Sequence, residues 1–263
     1  MKNIAIPIGI SNFAAHTLRY GFDLAHYFGA TVYLIDAYPP IPKGSSHMQN
    51  VHALAEDKNF ERIKSLAQSN NPQQVPVKVL RSQQDLIGSL KKLHTQVGID
   101  LIVVAPLNND MHEKVFLGRI AGSVIKRTEI PVWVAPLEKA FIPSQKMVLA
   151  LKHGSLPKES PASFLAHLQE KMQAVLDLLF VKTPALPDPY KEANSALLEL
   201  SDEIIHTENA TVYQGVLEHF QRLQPDLLVV FKRERGFFEK LWEPDVVLKK
   251  DFYCTVPLLV LKP

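Results

Sequence analysis

The fold is decided by four short runs in two matched pairs: IDLIVV at 99–104 with IPVWV at 130–134, and PDLLVV at 225–230 with VPLLV at 256–260. Asp100 and Pro131 stand 31 residues apart, and so do Asp226 and Pro257. The same offset of 126 aligns Glu113, Lys114, Val115 and Phe116 with Glu239, Lys240, Leu241 and Trp242. Unrelated strand–helix–strand units would rarely share both spacing and residue types, so the chain reads as an internal duplication.

Working outward, the earlier parts correspond at a different offset. Ile4–Ile8 and Met147–Leu151 are apolar strands, followed by a second pair, Val32–Ile35 and Leu176–Val181. The first half is therefore longer between its second and third strands. Its excess contains Pro39, Pro40, Pro42, Gly44, Ser45 and Ser46, which predicts a loop over Pro39–Asn50 bordering the site mouth, either a lid or a disordered crossover, the latter at least as well supported by Gly44, Ser45 and Ser46. Two domains are expected, 1–139 and 145–263, joined near Glu138–Gln145.

In the first half the pattern predicts strands near 3–8, 31–37, 76–80, 100–105 and 131–135. Helices are expected near 12–28, 50–69, 84–97 and 117–128. Phe13, Leu18, Phe22, Leu24, Ala25 and Phe28 recur near helical period, and Gly29 ends that helix. Runs such as LIVV and LLVV, apolar throughout, suit strands covered on both faces. Alternating strands and helices imply right-handed crossovers and a mostly parallel, doubly wound sheet. Ligands in such folds bind outside the carboxyl ends of the strands. Those ends are Ile8–Ser11, Asp36–Tyr38 (with Ala37 between) and Ala105–Gly118.

Composition narrows the function classes. Of 263 residues, 46% are hydrophobic and 21% charged, which is ordinary globular balance. The net charge is +2, with 15 basic against 11 acidic residues in the first 139 and 14 against 16 in the rest. Neither half has the basic excess of a general nucleic-acid binder. No stretch approaches the roughly 18 apolar residues of a membrane span, and MKNIAIPIGIS is too short for a signal core. With one cysteine, Cys254, no internal disulfide can form. A cytoplasmic location is expected.

The first half resembles a universal stress protein domain over its whole length. KNIAIPIGIS, ATVYLIDAY and IDLIVVAP followed by KVFLGRIAGSVIKRTEIPVWVAP carry the resemblance. The second half resembles it more faintly, through PDLLVV, FFEKLW and TVPLLVL. The resemblance implies two tandem Rossmann-like, adenine nucleotide alpha hydrolase-like domains with five-stranded parallel sheets. It also implies a pseudo-dimer through the last strands, 131–135 and 257–261. Further pairing into a homo-oligomer stays open.

Some members of that family bind ATP, with an Asp ending strand one and a Gly-x2-Gly-x9-Gly-Ser/Thr run after strand four. Glycines let backbone approach phosphates, and a helix N-terminus favours an anion. Here the Asp position is Gly9, the motif glycines are Ala105, Asn108 and Gly118, and the hydroxyl position is Arg119. Gly9, Ala37, Ala105, Asn108, Gly118 and Arg119 thus outline a degenerate nucleotide site. ATP or AMP is the cofactor it would take, if any. The matching positions of the second half are Phe231, Glu234, Pro244 and Asp245. Proline lacks an N–H and the acids repel phosphate, so that site reads as lost.

Other features weigh toward plain structure. The basic, aromatic run Phe231–Trp242 fits either an anion or partner site or a packed helical face, and the face is the better reading. His47 and His52 near the loop complete no zinc set, so no metal is expected. Ser11 and His16 lack a nucleophile elbow and a third partner, so no enzyme activity is expected. The expected function is a non-catalytic stress-response protein acting by binding. The alternative is an ATP- or AMP-binding regulator using the first half alone.

Overall fold

The computed structural model describes residues 1–37, 46–82, 85–106, 119–137, 139–151, 160–184, 193–232 and 256–262. Among these the chain divides into two compact units, the first ending at Phe141 and the second beginning at Ile142.

The first unit runs β1 (Asn3–Ile8), α1 (Ala14–Phe28), β2 (Thr31–Asp36), α2 (Ser46–Ser69), β3 (Val77–Leu80), α3 (Leu86–Val97), β4 (Leu101–Val104), α4 (Arg119–Arg127) and β5 (Val132–Val134). Its strands lie in the order β3-β2-β1-β4-β5, all parallel. The sheet winds one way from β1 to β3, then returns to place β4 against β1. The topological switch is therefore between β1 and β4, and the crevice above it is where such sheets hold ligands.

Local chemistry explains these elements. Every residue of β4 is buried, as its unbroken LIVV predicts. On α1, Leu18, Phe22, Leu24 and Ala25 lose all exposure, each large side chain contributing roughly 1.5–3 kcal/mol. Gly29 stops that helix at φ 66, a left-handed conformation that glycine adopts freely, and its N–H returns to the last turn. Asp85 caps α3 by accepting the Gly88 N–H at 2.6 Å. Trp133, fully buried on β5, donates its indole N–H to the Tyr20 hydroxyl at 3.0 Å. Phe141 packs edge-on against Tyr20 and tilts against Tyr27, tying the chain beyond β5 to its own unit.

The second unit runs β6 (Lys146–Leu151), α5 (Ser160–Met172), β7 (Val175–Lys182), α6 (Ser195–Leu200), β8 (Glu203–Glu208), α7 (Val212–Leu223), β9 (Leu227–Phe231) and β10 (Leu258–Leu261). Its order is β10-β9-β6-β7-β8, again all parallel. Taken in chain order, this is the winding of the first unit.

The repeat is visible bond by bond. Asp100 Oδ2 accepts the Lys2 and Asn3 N–H groups at 2.6 and 2.9 Å, and Asp226 Oδ2 accepts those of Gln145 and Lys146, both at 2.9 Å. Ile102 N–H reaches the Pro131 carbonyl at 2.9 Å, and Leu228 N–H reaches that of Pro257 at 3.1 Å. The Asp–Pro spacing read in the sequence is thus the distance between two paired strand starts.

One expectation is corrected. The predicted loop over Pro39–Asn50 is helix from Ser46 onward, so His47 and His52 stand on α2, and its earlier part, 39–45, lies outside the described residues. No glycine or proline interrupts Ser46–Ser69, so nothing within that stretch breaks the helix. At 24 residues against six for α6, helix accounts for much of the excess length of the first half.

Candidate functional site

The carboxyl ends of β1, β2 and β4 converge at the switch point. Gly9 follows β1, Ala37 follows β2 and Ala105 follows β4, each partly exposed. The Ala37 N–H donates to the Ile8 carbonyl at 2.9 Å, so the first two lie side by side. Arg119 opens α4. Asn108 and Gly118 lie outside the described residues. So do Glu234, Pro244 and Asp245 of the second half, and Cys254.

Gly9 is brought against α4 by contact with the next residue along. A Cβ built on Gly9 would stand 3.2 Å from Ile120 Cδ1, tighter than ordinary packing. The position that usually carries a carboxylate is thus bare, and an isoleucine methyl approaches it.

Asp36, placed by the sequence at a strand's carboxyl end but given no role, and Asn59 and Arg62, which the sequence did not single out, complete this end of the unit. Asp36, the last residue of β2, is 8% exposed and accepts from Asn59 Nδ2 at 2.7 Å. Asn59, on α2, is 6% exposed. Its Oδ1 receives Arg62 Nε at 3.1 Å and Nη2 at 2.8 Å. Arg62 Nη2 also donates to the Gly9 carbonyl at 3.1 Å. A buried carboxylate needs donors to replace lost water, and the amide supplies one while turning its oxygen to the guanidinium. The relay Asp36–Asn59–Arg62–Gly9 binds α2 to the ends of β1 and β2. A signal was present: Asp36 is the one acid ending the apolar run TVYLID, and Asn59 and Arg62 sit three apart on one helical face.

Ser11 and His16 are engaged separately. Ser11 Oγ accepts the Phe13 N–H at 3.1 Å, and His16 Nε2 lies 2.9 Å from the Pro136 carbonyl. Among the described residues, no three His, Cys, Asp or Glu side chains gather into a metal-binding group. No described helix is long and apolar enough to cross a membrane.

In the second unit the register position of Asp36 is Phe180. Asp36 pairs with Ile8 across β1–β2, and Phe180 pairs with Leu151 across β6–β7. Phe180 is 1% exposed and stacks on the His206 ring with centroids 5.7 Å apart.

A model of the universal stress protein family matches residues 1–136. No curated protein matches the chain. Among solved structures, a universal stress protein from Archaeoglobus fulgidus DSM 4304 is similar with a TM-score of 0.64 and 13% identity, covering 99% of this chain and 96% of that one. A functionally unknown protein from Pseudomonas aeruginosa PAO1 is similar with a TM-score of 0.59 and 16% identity, over 100% and 93%. At such identities the likeness is one of fold.

Proposed function

The chain belongs to the universal stress protein family, and from that premise we propose that it is a non-catalytic stress-response protein that acts by binding, with the usual ATP site degenerate in the first half and lost in the second. One observation carries this above the rest. Gly9 replaces the carboxylate at the end of β1, and Ile120 crowds the position. Restoring a side chain there would require Ile120 to move. In the second half the reading rests on the sequence, which has Phe231, Glu234, Pro244 and Asp245 at the motif positions.

The alternative, an ATP- or AMP-binding regulator using the first half, draws on one feature. Helix α4 begins at Arg119, directly after the motif glycine Gly118, and a helix start with an arginine suits a phosphate. A melt with magnesium and millimolar ATP separates the two. The proposal expects an unchanged melting temperature. A rise that Gly118→Pro abolishes would establish the alternative instead. The family's pairing through last strands is carried over to β5 and β10 as part of the proposal. Failure of separately expressed halves to copurify would remove it.

A further inference from the structure

We propose that Arg62 is the recognition residue of an anion site at the carboxyl ends of β1 and β2, and that the ligand of the first half presents a phosphate or carboxylate there. This rests on the binding role proposed above, and it names the chemistry of what is bound.

The guanidinium is held before any ligand arrives. Nε and Nη2 both donate to Asn59 Oδ1, and Nη2 donates again to the Gly9 carbonyl. Those three bonds consume the N–H groups of Nε and Nη2. Among the described residues, Nη1 makes no hydrogen bond, which leaves its two donors for a guest. An arginine whose rotamer is already fixed loses little freedom on binding, and its planar fork matches carboxylate and phosphate oxygens.

The charges around it favour the assignment. Lys64 is paired with Glu61 at 2.8 Å, and Arg81 with Asp57 at 2.7 Å. Arg62 makes no such direct ion pair among the described residues. The nearest acid in its own network, Asp36, is buried, with the Asn59 amide standing between carboxylate and guanidinium. Among the described residues just beyond the ends of β1, β2 and β4, the partly exposed Gly9, Ala37 and Ala105 carry no side-chain acceptor that would repel an anion. The usual family pattern puts a carboxylate at Gly9. Here Arg62 Nη2 donates to the Gly9 carbonyl instead.

The test uses the full chain melted in inorganic phosphate and, separately, in acetate, each at ionic strength matched with sodium chloride. The native protein should gain on the order of 3 °C once the anion exceeds its Kd about tenfold. Arg62→Gln should gain nothing, and Arg62→Lys should keep part of the rise. A rise with phosphate alone identifies a phosphate ligand, and with acetate alone a carboxylate. Absence of a rise in the native chain with either anion, or an equal rise in Arg62→Gln, overturns the proposal. Should that variant not fold, phenylglyoxal labelling of the native chain decides. The effective anion must protect Arg62 from modification, and lack of protection overturns the assignment. An ATP-induced rise that Gly118→Pro removes and Arg62→Gln preserves would sink the preceding proposal, leaving this one to stand on its phosphate and acetate results.

Discussion

In the first half a buried carboxylate, Asp36, closes β2, and α2 reaches over to satisfy it through Asn59. In the second half the same register position holds Phe180, sealed by packing and by the His206 ring. At the opposite ends of the strands the halves agree. Asp100 and Asp226 each gather two backbone N–H groups at the start of the unit's first strand. The amino ends hold the sheet together and must be alike to build the same fold. The carboxyl ends have diverged while the strand order of the two units stayed the same. The second half has exchanged a polar strand end for an apolar one and kept its scaffold.

Substitutions that copy one half into the other test this division, and Trp133 gives the largest effect. Trp133 pairs with Val103, and its counterpart Leu259 pairs with Val229. Trp133→Leu should destabilise the first unit by about 3 kcal/mol, from lost ring volume and an unsatisfied Tyr20 hydroxyl. Chemical denaturation with both units monitored should show the loss in the first transition. A negligible cost would mean the two cores are interchangeable.

Tyr20 adds a pH signature. Burial pushes its phenol well above the ordinary value, so the hydroxyl stays neutral in the folded chain when the unfolded chain ionises. Its stability is fully present below the usual phenol pKa and is lost above it, by up to about 1.4 kcal/mol per pH unit. Tyr20→Phe should flatten that alkaline decline in stability-against-pH curves.

A second swap concerns the shared end. Asp226→Ala and Asp100→Ala should each cost about 2 kcal/mol, since each removes two charge-assisted bonds to backbone. If the amino ends are equivalent, the two losses measured by denaturation will be close. A loss confined to one half would break the equivalence.

The smallest effect lies at the diverged end. Gly9→Asp restores the family carboxylate but meets Ile120 Cδ1, and should cost about 1 kcal/mol. Ile120→Ala in the same chain should relieve that clash, giving a coupling energy in a double-mutant cycle. Strict additivity would show that Ile120 does not guard the position.

Much of the fold was legible because it is written in short-range regularities. The runs IDLIVV and PDLLVV with their 31-residue spacing located β4, β5, β9 and β10 within a residue or two of the observed bounds. The site was legible only where it borrows from strand ends, at Gly9, Ala37 and Ala105. Asn59 and Arg62 were hidden, since they stand 23 and 26 residues beyond Asp36 and join it only when α2 folds back onto the sheet. The reach of α2 was missed for a related reason. Pro39 to Ser46 is dense in turn formers, and composition alone does not say where a loop yields to helix.

Periodicity, apolar runs and breaker residues specify elements and their repetition, because hydrophobic burial and backbone geometry act on neighbours along the chain. Whether a bare glycine becomes a vacant pocket or a seat for Ile120, and whether an arginine on a helix faces water or the end of a distant strand, depends on contacts between residues far apart. Those contacts have no local period. They exist only once the sheet is wound, which is why the chemistry of this site came from the folded chain.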